Sequence, residues 1–169
     1  AFDIHGMRFI LLDDRTNKTS VQIYSRADEA WIESQILSSP GPIWLVNGIQ
    51  FFGGYLSGTE SVEDTSMSQL LRILRMGKRA KVPMVLVSGD VHFSEIMEIE
   101  EDFTGYPPYE LTSSAIHSRT FPGMQFRSYN GRRIESTSRN NFMAVEMRAR
   151  SSSRVDFEVV SIGDSDQEF

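Results

Sequence analysis

Short apolar runs that end in polar residues recur along this chain. Met7-Arg8-Phe9-Ile10-Leu11-Leu12-Asp13 reads as a strand with Asp13-Asp14-Arg15 at its C-terminal end. Ile43-Trp44-Leu45-Val46 reads as a buried strand that runs into Asn47-Gly48-Ile49-Gln50, and Met84-Val85-Leu86-Val87 as another that runs into Ser88-Gly89-Asp90-Val91-His92-Phe93. Helical patterns lie between them. Ala27–Leu37 places Trp31, Ile32 and Ile36 on one side and stops at Pro40-Gly41-Pro42. A second helix is expected from near Ser66 to about Met76, with Ser66-x-x-Gln69 as its capping box and Met67, Leu70, Leu71 and Leu74 as its core stripe. Apolar strands alternating with helices imply an α/β protein with a mostly parallel sheet.

The texture changes after about residue 105. Tyr106-Pro107-Pro108-Tyr109-Glu110-Leu111-Thr112-Ser113-Ser114 reads as a loop leading into a short strand. Residues 118–141, rich in Arg, Ser, Asn and Gly, read as a long loop or an exposed hairpin. Asn141–Arg150 and Arg154–Ile162 alternate apolar and polar positions around Ser151-Ser152-Ser153, the pattern of a terminal antiparallel β-hairpin. The Gly53-Gly54…Gly58 stretch reads as a flexible loop. No internal repeat interrupts this order.

Composition narrows the classes. At 169 residues the chain is expected to form a single domain, 1–169. Its net charge of −6 comes without a long run of like charge, which argues against a nucleic-acid-binding tail. The basic cluster Arg72, Arg75, Lys78, Arg79 and Lys81 reads as a solvated helix end that complements the helix dipole. Absence of cysteine excludes disulfide and thiolate chemistry and leaves the compartment open. No apolar run approaches the length of a membrane span. The chain starts with Ala rather than Met and enters a strand-like run almost at once, which reads as a cut inside a longer protein.

The chemistry concentrates at the strand ends. Asp90 and His92, two residues apart just past a buried strand, suit metal ligation; the plain alternative is a turn Asp capping a helix over Phe93–Glu98 beside a hydrogen-bonded His. Asn47 can ligate a hard cation through its carbonyl oxygen, or simply form a turn with Gly48, and Gln50 follows it. Arg15, beside Asp13 and Asp14, suits a bidentate phosphate contact or a structural salt bridge. His117 is a further candidate. His5 reads as a surface residue, and Glu95, on the first turn of the expected helix, as a supporting or surface group. The chain holds no Gly-x-Ser-x-Gly, Walker-type loop, Gly-x-Gly-x-x-Gly or His-Glu-x-x-His, which argues against serine hydrolases, nucleotide triphosphatases and zincins.

Five segments in order resemble the alkaline phosphatase D (PhoD-like) branch of the calcineurin-like metallophosphoesterases. They are Arg8–Arg15, Val46-Asn47-Gly48-Ile49-Gln50-Phe51, Thr59-Glu60-Ser61, Ser88-Gly89-Asp90-Val91-His92-Phe93 and Tyr109–His117. The fourth is similar to that family's Gly-Asp-Val-His motif. Val62 stands where the family usually has Trp, and Ala115 where it usually has Gly. The family's amino-terminal motifs are absent, so the resemblance implies a carboxy-terminal half of an α/β/β/α sandwich. It implies metal-dependent hydrolysis of a phosphomonoester or phosphodiester by the complete protein, through divalent or transition metal ions (Fe, Ca, Mn or Zn) that clamp the phosphate and activate water. Carried over by position, Asp90, His92 and Asn47 would be metal-site residues, with Arg15 and His117 catalytic candidates. Implied partners are the phosphate-ester substrate and the amino-terminal half, or another copy of the chain at an unpaired sheet edge. The alternative is a non-catalytic phosphoesterase-like interaction module.

Overall fold

Parallel strands form the middle of a seven-stranded sheet, and their C-terminal ends carry the motifs singled out above. The computed structural model describes residues 1–53, 61–114, 116–121, 123, 130–151, 154–163 and 166–167. In chain order the strands of this sheet are β1 (Phe2–Ile4), β2 (Met7–Leu11), β3 (Ile43–Val46), β4 (Met84–Ser88), β5 (Ser94–Glu98), β6 (Tyr109–Thr112) and β7 (Arg133–Thr137). Across the sheet they run β1-β2-β3-β4-β6-β5-β7. β2, β3, β4 and β6 are parallel; β1 pairs antiparallel at one edge, and β5 and β7 at the other. The expected Gly53–Gly58 loop lies outside the described residues beyond Gly53, as do Thr59, Glu60 and Ala115 of the resemblance segments and Ser152-Ser153 of the hairpin turn.

Period-2 alternation gives the sheet two different faces. Register aligns Ile10, Leu45 and Leu86 in one row, and these side chains are fully buried with α1 (Arg26–Leu37) and α2 (Val62–Ala80). The next row, Phe9, Trp44 and Val85, faces the other way. There it packs with Met143, Val145, Met147, Val155, Phe157 and Val159 of the hairpin β8 (Asn141–Ser151) and β9 (Arg154–Gly163). With β10 (Asp166–Gln167) the hairpin makes a small antiparallel sheet of order β10-β9-β8. The expected terminal hairpin is therefore present.

Both helices depart from the sequence reading in detail. α1 has a full capping box: the Ser25 hydroxyl accepts from Asp28 N–H at 3.2 Å while the Asp28 carboxylate accepts from Ser25 N–H at 2.8 Å. It buries Ile32 and Ile36, but Trp31 points outward and is 39% exposed. α2 begins at Val62, a turn earlier than expected, because Ser61 supplies the cap by accepting from Asp64 N–H at 3.0 Å. Ser66 is a kink with non-helical φ −156° and ψ 75° between two helical segments, so the longer segment does start beside the expected position. Gln69 does not cap; it is buried and holds Ile23 N–H at 2.7 Å and Tyr24 C=O at 2.7 Å.

Two further expectations are corrected. Arg72 of the basic cluster grips Glu29 of α1 with two hydrogen bonds of 2.7 and 2.8 Å, and Arg79 pairs with Glu33. These cations tie the two helices together rather than serving only as a solvated helix end. The expected helix over Phe93–Glu98 is the strand β5, because β6 and β7 on either side take up its backbone hydrogen bonds. A short apolar run of this kind carries no decisive period. Among the described residues no helix is long and apolar enough to cross a membrane.

Candidate functional site

The register brings Leu11, Val46, Val87 and Leu111 level with one another, so the loops that follow β2, β3, β4 and β6 gather at one rim. This rim, outside the C-terminal ends of parallel strands, is where open α/β sheets place ligands. Backbone bonds knit the loops: Asn47 N–H to Val87 C=O at 2.9 Å, Gly89 N–H to Gly48 C=O at 3.1 Å, and Ser113 N–H to Ser88 C=O at 2.9 Å.

Asp90 and His92 both adopt left-handed backbone, φ 65° and 63°. Non-glycine residues held there carry strain, and such positions cluster at functional sites. The turn is pinned by His92 N–H donating to Ser114 Oγ at 3.0 Å. The His92 ring lies near Phe121, and its Nδ1 is 2.6 Å from the Arg119 carbonyl. A carbonyl only accepts, so Nδ1 carries the proton in this bond, and in the neutral ring the lone pair is then on Nε2.

Arg15 reaches across from the loop after β2. One of its terminal nitrogens lies 2.5 Å from Asp90 Oδ2, with the two side chains 54% and 53% exposed. A pair this exposed contributes only about 0–1 kcal/mol. Asp13 forms a turn, accepting from Arg15 and Thr16 N–H at 3.0 and 2.9 Å; the Thr16 side chain first, and then these two N–H groups, hold its carboxyl below the usual range. Asp14 is buried and accepts from Ile49 N–H at 2.6 Å.

Asn47 is buried and doubly engaged. Its carbonyl accepts from the Tyr24 hydroxyl at 3.1 Å, and its amide donates to Ile49 C=O at 2.9 Å. Burial pushes the Tyr24 hydroxyl far above its ordinary range, so Asn47 faces a neutral phenol. His117 lies exposed in the loop after β6, and His5 sits in the tight β1–β2 turn at the opposite end of the sheet. The strand ends thus unite Arg15 with Asp90 and bring Asn47 to the same rim; His117 is not shown in contact with them.

Beneath the rim lies a polar network that the sequence reading missed. Glu110 of β6 is completely buried and accepts from Phe51 N–H at 2.8 Å, Phe52 N–H at 2.9 Å and the Ser88 hydroxyl at 2.6 Å. Ser88 also meets Thr112 at 2.9 Å, and Gln50 donates to Thr112 at 3.0 Å and to Glu95 at 2.6 Å. Glu95 is buried on β5 and receives Arg133 of β7 at 2.6 Å. This corrects its expected place on a helix turn. Burial pushes the Glu110 carboxyl up to about 7, against the three hydrogen bonds it accepts. The available signal was an acidic residue between Tyr109 and Leu111 in a short strand.

Taken as a donor set, the rim residues do not complete a metal site. Among the described residues no group of three or more His, Cys, Asp or Glu side chains is arranged to hold an ion. Asp90 is engaged by Arg15, both ends of the Asn47 amide are used, and His92 offers a single nitrogen. A separate cleft of about 630 Å³, lined by Glu98, Glu100, Glu101 and Arg132 among others, includes none of the candidate residues.

The strands and their rim define a mixed α/β fold with one large mixed sheet and a small antiparallel one. That fold is similar to a solved structure described as that of PhoD, at 14% sequence identity and a TM-score of 0.66. The likeness covers 96% of this chain and 41% of that chain, consistent with the PhoD-like carboxy-terminal portion that the motifs resemble. No family model matches the sequence, and no curated protein matches it.

Proposed function

We propose that this chain forms one wall of a metal-dependent phosphoesterase site whose remaining ligands come from outside it, in a four-layer α/β/β/α sandwich. The observation that carries this reading is the Gly89-Asp90-Val91-His92 turn. Two metal-ligating residue types sit in left-handed backbone at the sheet's C-terminal rim, with Arg15 beside them. Fold likeness to PhoD supports the same chemistry, hydrolysis of a phosphomonoester or phosphodiester. In this reading Asp90 and His92 Nε2 are ligands from this half, and the ion would be Fe, Ca, Mn or Zn. The weak, exposed Arg15–Asp90 pair leaves Asp90 free to exchange Arg15 for a cation, and the released guanidinium matches a phosphate. Asn47 and His117 belong to the edge of the site.

The test is metal analysis and phosphatase assay of the longest protein containing this chain, beside its Asp90→Ala variant. Bound metal and phosphatase activity, with loss of at least tenfold in activity on substitution, are expected. If that protein binds no metal and Asp90→Ala changes nothing, the enzymatic reading fails.

A non-catalytic interaction module is the second reading. It is favoured by the incomplete donor set and by the edge strand β1, where Phe2 and Ile4 are each nearly half exposed. Metal-independent capture of a partner that competes with substitutions at Phe2 would support it.

A further inference from the structure

We infer that Glu110 is the positioning residue of the strand-end rim: its buried carboxylate locks the loop after β3 and the Asp90–His92 turn into one rigid unit. This rests on reading that turn as the functional wall.

The position itself is unexpected. Register puts Glu110 in the same row as Ile10, Leu45 and Leu86, which point into the helix-covered core. A carboxylate where its row neighbours are aliphatic is costly to bury, and such groups persist when their hydrogen bonds are filled. Here Phe51 N–H, Phe52 N–H and the Ser88 hydroxyl all converge on it. Two consecutive backbone N–H groups on one carboxylate fix the loop that follows Gln50. Ser88 is the last residue of β4 and precedes Gly89, so its hydroxyl transmits the same anchor to the turn. Gly89 N–H then joins Gly48 C=O, closing a ring from β6 through both loops.

Charged groups on three neighbouring elements bear on this anchor. Glu95 from β5 is the charged group that raises Glu110 further, and Arg133 from β7 answers Glu95. Tyr24, from the segment before α1, is raised by burial first and then by the Asp14 and Glu110 charges. Gln50, Thr112 and Ser88 link the two carboxylates in a chain of hydrogen bonds without contributing charge. An amide in place of the carboxylate cannot satisfy all three donors, since its NH₂ end would face one of them.

Amide hydrogen exchange and histidine-ring NMR on the whole chain test the inference. With three histidines, the His92 ring reports the turn and the His5 ring, at the far end of β2, is the control. Glu110→Gln should speed exchange at Phe52 and at His92 by on the order of tenfold or more, and shift the His92 ring while leaving His5 unmoved. Should that variant fail to fold, Ser88→Ala separates the two loops: Phe51 and Phe52 stay protected while His92 loosens and its ring shifts. An unchanged His92 ring and amide in Ser88→Ala overturns the inference, as does unchanged Phe52 exchange in Glu110→Gln. Metal analysis of the longest protein containing this chain, loaded in turn with Fe, Ca, Mn and Zn, reads the ligand wall independently. Binding of none of the four would sink that reading and leave the exchange result to decide this one.

Discussion

Gly48 shows how closely neighbouring loops approach at the rim. A Cβ there would lie 2.7 Å from Asp14 Oδ2 and 2.9 Å from Oδ1, so any larger residue must displace the carboxylate that holds Ile49 N–H. Gly48→Ala is expected to destabilise the fold by about 1–3 kcal/mol, the cost of a buried donor losing its acceptor. Urea denaturation of the variant checks this, and an unchanged midpoint would show that Asp14 can move at no cost. Asn47 makes a related point. The residue type suits cation ligation, yet Tyr24 and Ile49 already occupy both ends of its amide. Residue type therefore indicated what Asn47 is able to do, and contacts indicate what it does.

At the scale of elements, capping is where local reading and structure diverge most clearly. Ser66-x-x-Gln69 has the spacing of a capping box, but Ser61 caps α2 and Gln69 turns inward to hold residues 23 and 24. Ser61→Ala is expected to cost about 1 kcal/mol. Ser66→Ala should cost less, since among the described residues its hydroxyl meets Ser68 alone, at 3.4 Å. Equal losses in thermal or chemical unfolding would restore Ser66 as a cap. The strand β5 is a second case. Its sequence admits a helix turn, and pairing with β6 and β7 overrides that local option, moving Glu95 from a helix surface into the buried network.

Across the whole molecule, Glu110 links the fold to pH. Its carboxyl is raised from 4.5 to about 7 by burial, so the folded state binds a proton that the unfolded chain releases between those values. The stability it contributes is complete below about 4.5 and lost as pH rises through about 7. Asp28 and Glu29 have the opposite sign: Ser25 holds the first low and Arg72 the second, so their contributions vanish in acid. The wild-type chain should therefore lose stability between about pH 4.5 and 7, and Glu110→Gln should flatten that slope. Denaturant titrations at several pH values decide it; parallel slopes for the two proteins would refute the assignment to Glu110.

Much of this architecture was legible along the chain. Apolar strands closing on polar residues, the first helix and the terminal hairpin follow from periodicities that local backbone geometry imposes. The strand-end motifs were legible for the same reason, since polar residues directly after a buried strand must emerge at a sheet rim. Pairing order, by contrast, was hidden, because strands distant in sequence compete for the same backbone bonds and nothing local selects among them. Only that order brings Arg15 to Asp90, seats Glu110 in a row of aliphatic side chains and joins Gln50 to Glu95. The sequence by itself determined which residues stand at the ends of strands. Tertiary structure alone decided which of those residues meet, because a buried carboxylate or amide takes its role from the donors that the fold brings within about 3 Å of it.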